Sequence, residues 1–179
     1  MEKSRTLNAT NTLTASAFAL ALSIINLMLF RGTISILAAC FVPAIIVIFS
    51  KGQKMNYYLY VSVGLFLVAP MFFQTQIVFV AGYVVLALGM RLLLIDRDLN
   101  LRRGLVSSAG YVLLVAVILW MGMILTEYLF LIPLNSMMIR LSKGSNVLYM
   151  GILLLEGLLV FLVNMAVMTI YLTKVLAQE

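Results

Sequence analysis

The sequence predicts an all-α polytopic membrane protein with six transmembrane helices and both termini in the cytoplasm. Of its 179 residues, 64% are hydrophobic and 10% are charged, whereas soluble domains average roughly 45–50% apolar and about 25% charged. One core of this size cannot bury the excess, so lipid must solvate much of it. The charges lie mostly in gaps between long apolar runs, and these gaps alternate in how basic they are.

A helix needs about 20 apolar residues to cross a hydrocarbon core of roughly 30 Å. Six runs meet or approach this length, which predicts a single integral membrane domain over 1–179. The predicted spans are 9–30, 33–50, 56–73, 76–95, 104–132 and 147–174. The first run is long for a signal-peptide core and is followed by five others, so we interpret it as a retained span.

Polar residues mark each break between the spans. The breaks are Arg31-Gly32, Lys51 to Lys54, Gln74 to Gln76, Asp96 to Arg103 and Pro133 to Asn146. The short break at Gln74 predicts a helical hairpin, because a single helix over 56–95 would be about twice the bilayer thickness. Within the last break, Met137 to Leu141 fits a turn of helix at the membrane interface.

Lysine and arginine counts predict the orientation, because cytoplasmic loops carry the excess of these residues. One side has nine of them: Lys3, Arg5, Lys51, Lys54, Arg91, Arg97, Arg102, Arg103 and Lys174. The other side has three: Arg31, Arg140 and Lys143. This asymmetry places both termini inside and predicts a multi-pass protein of the plasma membrane.

The composition also excludes several function classes. There is no histidine, which removes histidine triads, imidazole metal sites and the usual pH switch. The single cysteine, Cys40, allows neither an intrachain disulfide nor a thiolate metal cluster. The net charge of +6 sits at the ends of apolar runs rather than in a basic patch, which argues against a nucleic-acid partner. We therefore expect no enzyme activity, no metal and no cofactor.

Glu127 and Glu156 lie inside apolar runs, where a carboxylate costs about 2.5–3.5 kcal/mol on insertion scales and usually faces a cavity or a partner. On the predicted topology both lie roughly 9–14 Å inside the outer boundary, at 1.5 Å per residue. They could line one outward-facing pocket. Alternatively, each could pair with Arg31 or Arg140, or be protonated and hydrogen-bonded between helices.

Other polar and aromatic residues fall near the same end. Trp120, Tyr128, Asn135 and Tyr149 complete the candidate substrate-binding set with the two glutamates. Aromatic rings beside carboxylates can bind an organic cation, although Tyr and Trp also populate membrane interfaces for their own reasons.

Small residues recur at helical spacing on the first span. Ala15, Ala19 and Ser23 are spaced by four residues, and so are Ala17 and Ala21. Such spacing lets another helix approach closely, either within this protein or as a docking surface for a partner. Gly82 and Gly89 form a similar pair. The mixed-charge stretch Asp96 to Arg103 is either a solvated loop or a contact surface for a cytoplasmic partner.

These features resemble the substrate-binding S components of energy-coupling factor transporters. The resemblance rests on the length, the six spans and the alanine-rich stretch Ala15-Ser16-Ala17-Phe18-Ala19. The run from Leu13 through Leu94 also resembles the N-terminal part of YybS-like predicted membrane proteins. The resemblance implies that the alanine face docks to a transmembrane coupling subunit, and that an outer ligand site involves Glu127, Asn135, Tyr149 and Glu156.

The sequence therefore predicts a small membrane transport component that binds a small organic solute in an outward-facing pocket. No P-loop is present, so energy would come from partner subunits, including ATPases. The alternative is a non-transport scaffold or accessory subunit of a larger membrane complex.

Overall fold

The computed structural model describes residues 2–29, 36–50, 53, 55–72, 74–95 and 101–176, with side chains for 10–29, 38–50, 53, 55–72, 74–94 and 104–171. Apart from short turns, these residues are helical, and no strand occurs among them. The helices are α1 (Glu2–Leu29), α2 (Ile36–Phe49), α3 (Asn56–Phe72), α4 (Ile77–Met90), α5 (Leu101–Phe130), α6 (Leu134–Leu141) and α7 (Asn146–Leu176).

Four helical segments are long and apolar enough to cross a membrane: Thr10–Leu29, Gln74–Leu94, Gly104–Phe130 and Asn146–Tyr171. The apolar helices α2 and α3 are shorter, and the 14 residues of α2 extend only about 21 Å at 1.5 Å per residue. The all-helical prediction is confirmed, and the length and composition of the four long helices are compatible with a membrane protein. The count of six spans and the cytoplasmic termini stay predictions.

The predicted breaks separate helices where the structure describes them, except that residues 101–103 of the mixed-charge stretch already belong to α5. A single 3₁₀ turn, Gln74–Gln76, separates α3 from α4, and the two helices pack against each other as a hairpin. Several predicted breaks lie outside the described residues: Arg31-Gly32, Lys51-Gly52, Lys54 and residues 96–100 of the mixed-charge loop. The interfacial turn expected at Met137 to Leu141 is the end of α6.

The short helix α2 lies at the centre of the bundle, packed against α1, α4 and α7. A helix that is hydrophobic on every side is surrounded either by protein or by lipid. Here it is protein, because α2 is buried around most of its circumference. Its buried residues are Ala38, Ala39, Cys40, Val42, Pro43, Ala44, Ile46 and Val47.

Pro43 interrupts the backbone hydrogen bonds of α2, because proline has no N–H to donate to the carbonyl four residues earlier. That carbonyl belongs to Ala39, which is fully buried. The side-chain amide of Asn164 on α7 donates to the Ala39 carbonyl oxygen at 3.3 Å. The same amide donates to the Val160 carbonyl oxygen at 2.8 Å. Asn164 therefore joins α7 to the one carbonyl that the proline leaves unpaired.

The backbones of α5 and α7 come close at Gly157. A Cβ added there would lie 2.7 Å from the Val112 carbonyl oxygen, so a larger residue would push the helices apart. Gly82 and Gly89 serve internal packing as well, because they face Ile118 and Leu114 of α5. The contacts run in opposite directions along the two helices, so α4 is antiparallel to α5.

A polar cluster ties α1, the α2–α3 turn and α4 together near the start of α5. The guanidinium of Arg91 lies 5.5 Å from the centre of the Tyr58 ring and donates to the Gln53 carbonyl oxygen at 3.5 Å. Tyr58 donates to the Ser50 hydroxyl at 2.9 Å, and Thr12 donates to the Gln53 side chain at 2.7 Å. Arg91 begins a π-helical turn, Arg91–Ile95.

The link between Asn164 and Ala39 predicts energetic coupling with Pro43. Asn164→Leu should lower the free energy of unfolding, because the Ala39 carbonyl loses its partner. In a Pro43→Ala background the restored N–H can satisfy that carbonyl, so the same change should cost less. We expect a coupling energy of about 0.6–1.7 kcal/mol, the size found for hydrogen bonds between membrane helices. Unfolding in mixed micelles for the four proteins measures it, and additive effects would contradict the link.

Candidate functional site

The end of α5, α6 and the start of α7 form a compact corner over residues 127–149, here called the α6 corner. Leu131 ends α5 in the left-handed region, with φ 56°, and donates its N–H to the Glu127 carbonyl oxygen at 3.0 Å. Non-glycine residues rarely adopt this conformation, which costs roughly 1–2 kcal/mol. Contacts within the corner must offset that cost.

Glu127 caps the first turn of α6. Its Oε2 accepts the backbone N–H of Ser136 at 2.9 Å, and its Oε1 accepts the Ser136 hydroxyl in a short hydrogen bond. The backbone N–H of Asn135 also donates to this carboxylate. The first N–H groups of a helix lack partners within the helix and favour a nearby negative charge. Within the described part of the chain, the partners of Glu127 are therefore Ser136 and Asn135, not Arg140.

Tyr149 fastens α6 to α7. Its hydroxyl donates to the side-chain oxygen of Asn135 at 2.7 Å. The same hydroxyl lies within electrostatic range of the carboxylates of Glu127 and Glu156. Three of the six predicted substrate-binding residues, Glu127, Asn135 and Tyr149, are therefore linked by hydrogen bonds, and Glu156 lies within electrostatic range of Tyr149.

Glu156 differs from Glu127 in its surroundings. It is half-buried on α7, two turns along the helix from Tyr149. No residue of the described segments hydrogen-bonds to its carboxylate, whose electrostatic neighbour is Tyr149. Arg31, the other pairing candidate, lies outside the described residues.

A groove of about 410 Å³ lies between α5 and α7, next to the α6 corner. This volume is within the roughly 300–1,000 Å³ typical of small-molecule sites. The residues that line the groove are Leu113, Ala116, Val117, Trp120, Asn146, Tyr149, Met150, Leu153 and Leu154. Leu113 and Ala116 lie at the close approach of Gly157 to α5, and the other lining residues lie on its α6 side.

Trp120 and Tyr149 connect the predicted residue set to this groove, because both line it. Glu127, Asn135 and Glu156 are not among its lining residues, and Tyr128 is 81% exposed. The sequence analysis did not single out the aliphatic walls or Ser136. The spacing of Leu113, Val117 and Trp120, four and three residues apart, indicates one helical face, but such faces are common in membrane helices.

The small-residue face of α1 divides in two. Ser16, Ala19 and Ser23 are buried and Ala15 is half-buried, so this side packs inside the protein. Leu20 contacts Gly64 of α3 on this inner side. Ala17 and Ala21 are exposed. The Ala15–Ala19–Ser23 face thus meets helices of the same chain, and the Ala17–Ala21 face is open.

The fold and the site define a helical protein with four membrane-length helices and a groove beside a capped corner. Comparison with known proteins finds no matching family model, no matching curated protein and no matching solved structure. The resemblance to S components of energy-coupling factor transporters therefore stays a prediction.

The cap at α6 predicts a change in protease sensitivity. Glu127→Ala removes the acceptor for the first N–H groups of α6, so the helix should detach more often. Trypsin should then cut faster after the exposed residues Arg140 and Lys143. Glu127→Gln, which keeps one acceptor oxygen, should fall between Ala and the parent. Tyr128→Ala changes an exposed neighbour and should leave the rate unchanged; equal rates for Glu127→Ala and the parent would exclude the cap.

Proposed function

We propose that this chain is an integral membrane protein of six spans, with both termini on the cytoplasmic side of the plasma membrane. The four long helices and the nine-to-three distribution of basic residues support this proposal. α2 and α3 would complete the set, since short helices are accommodated by local thinning of the bilayer or by tilted neighbours. Burial of α2 in the bundle reduces its need to match the lipid thickness.

We further propose that the protein binds a small organic solute in an outward-facing pocket and relies on partner subunits for energy. The groove between α5 and α7 carries this proposal, because it is large enough for a small molecule and lies at the end of the bundle that the charge pattern assigns to the outside. Trp120 and Tyr149 would contact the solute, and Glu127 and Asn135 would hold the corner that positions Tyr149. Release inward would require a second arrangement of the bundle.

A second proposal is a scaffold or accessory subunit of a larger membrane complex. The exposed Ala17 and Ala21 favour it, because they leave a helix face to which a partner helix can pack closely. A coupling subunit of a transporter could use the same face. Affinity purification separates the two: copurifying ATPases support transport, and copurifying biosynthetic or cell-division proteins support a scaffold.

The orientation can be tested by cysteine labelling. Cys40→Ala removes the one cysteine, and a cysteine placed at Lys143 or at Arg97 then reports the side of the membrane. We expect an impermeant maleimide to label position 143 in intact cells and position 97 only after permeabilisation. Labelling in the reverse order would overturn the proposed topology.

Solute binding can be tested on the purified protein with a panel of small organic solutes, read by native mass spectrometry and thermal shift. We expect at least one solute to bind, and Trp120→Leu and Tyr149→Phe to weaken that binding. Tyr60→Phe on α3, a partly exposed tyrosine away from the groove, is the control. The solute site would be rejected if no solute of the panel bound, or if Trp120→Leu and Tyr149→Phe left the binding unchanged.

A further inference from the structure

The groove between α5 and α7 is lined almost entirely by apolar surface, and its few polar side chains lie near the α6 corner. Asn146, Tyr149 and Trp120 supply an amide, a hydroxyl and an indole N–H next to the α6 corner. Towards Gly157 the walls are aliphatic, with Leu113 and Leu154 at the far end. A ligand that satisfies both ends has a polar group joined to an apolar body.

The dimensions of the groove fit one alkyl chain. Leu113 to Trp120 covers about 10 Å of α5, and Asn146 to Leu154 covers about 12 Å of α7, at 1.5 Å per residue. An extended chain advances about 1.2 Å per bond, so roughly ten bonds span this length. The volume of about 410 Å³ is at the lower end of the range for small-molecule sites, so the groove holds one chain rather than a two-chain lipid.

The groove opens sideways on the surface of the bundle. Four of its wall residues are well exposed: Leu113, Val117, Met150 and Leu154 are 55%, 47%, 59% and 42% exposed. In a membrane span such a surface faces acyl chains rather than water. An apolar ligand can therefore enter from the bilayer without passing through the polar end.

Because little of the groove wall is polar, the groove suits a small hydrogen-bonding headgroup rather than a charged one. Tyr149 already donates its proton to Asn135, so its oxygen can accept a hydrogen bond from a ligand. The indole N–H of Trp120 can only donate, and the Asn146 amide can do both. A hydroxyl group, which donates and accepts, matches this set.

We propose that the groove binds a single-chain amphiphile, its alkyl chain between α5 and α7 and its hydroxyl at Asn146, Tyr149 and Trp120. This inference rests on the proposed solute site and names its class of ligand. Trp120 is the one tryptophan of the chain, so its fluorescence reports occupancy directly. The probe is dibromodecanol, brominated next to the hydroxyl, because bromine quenches tryptophan on contact.

The experiment titrates dibromodecanol into the protein in phosphatidylcholine nanodiscs. We expect quenching that saturates and is reversed by unbrominated decanol. Val117→Phe, which fills the groove from an exposed position, should weaken the binding about tenfold, equivalent to about 1.4 kcal/mol. Val106→Phe makes the same change on α5 outside the groove and should bind as the parent does. If Val117→Phe does not fold, Leu154→Phe replaces it, with Leu158→Phe as its control.

Simple partitioning of the probe would give quenching that rises linearly with probe content and is not reversed by decanol. It would also be equal in Val117→Phe and Val106→Phe. This result would overturn the inference. If a water-soluble solute of the panel still binds in a way that depends on Trp120 and Tyr149, the proposed function survives this failure. If neither the probe nor any solute binds saturably, both proposals fail.

Discussion

The carbonyl that Pro43 leaves without a partner in α2 is the constraint on which the arrangement of the bundle depends. In a setting without water, an unsatisfied backbone group costs several kcal/mol. The Asn164 amide meets that need from α7, so the last helix must lie beside the second along that turn. Because α2 also packs against α1 and α4, this polar contact between distant parts of the chain lies at the centre of the protein.

The geometry of α7 follows from where it is held. Asn164 anchors it to α2, and Gly157 brings its backbone against α5 near Val112. At its start, Tyr149 ties it to α6 through Asn135. Between Gly157 and that start, the groove lies between the two helices, and Trp120 is one of its walls. The groove is thus a consequence of one close approach and one hydrogen-bonded corner, rather than of a dedicated loop.

Sequence reasoning predicted the helices well, because lipid-length apolar runs and polar breaks act locally. It could not predict that α2 is central, because a helix that is apolar on every side gives the same pattern in lipid and in protein. Nor did it predict the cap at α6. Glu127 stood out as a carboxylate in an apolar run. Its partner, Ser136, could not be identified from the sequence, because the two residues meet only through the change of chain direction at Leu131. The role of Asn164 was not predictable locally either, because its acceptor on α2 depends on Pro43, far away in sequence.

The structure of the α6 corner gives the two glutamates different roles. Glu127 has its oxygens engaged by α6, so it serves a ligand best by holding Asn135 and, through it, Tyr149. Glu156 has no hydrogen-bonding partner among the described residues. Its connection to the site is its electrostatic interaction with Tyr149. Tyr149 is therefore the residue at which the charges of the corner and the apolar groove meet. Tyr149 lines the groove and the two carboxylates do not, so a ligand in the groove would meet the corner through this hydroxyl.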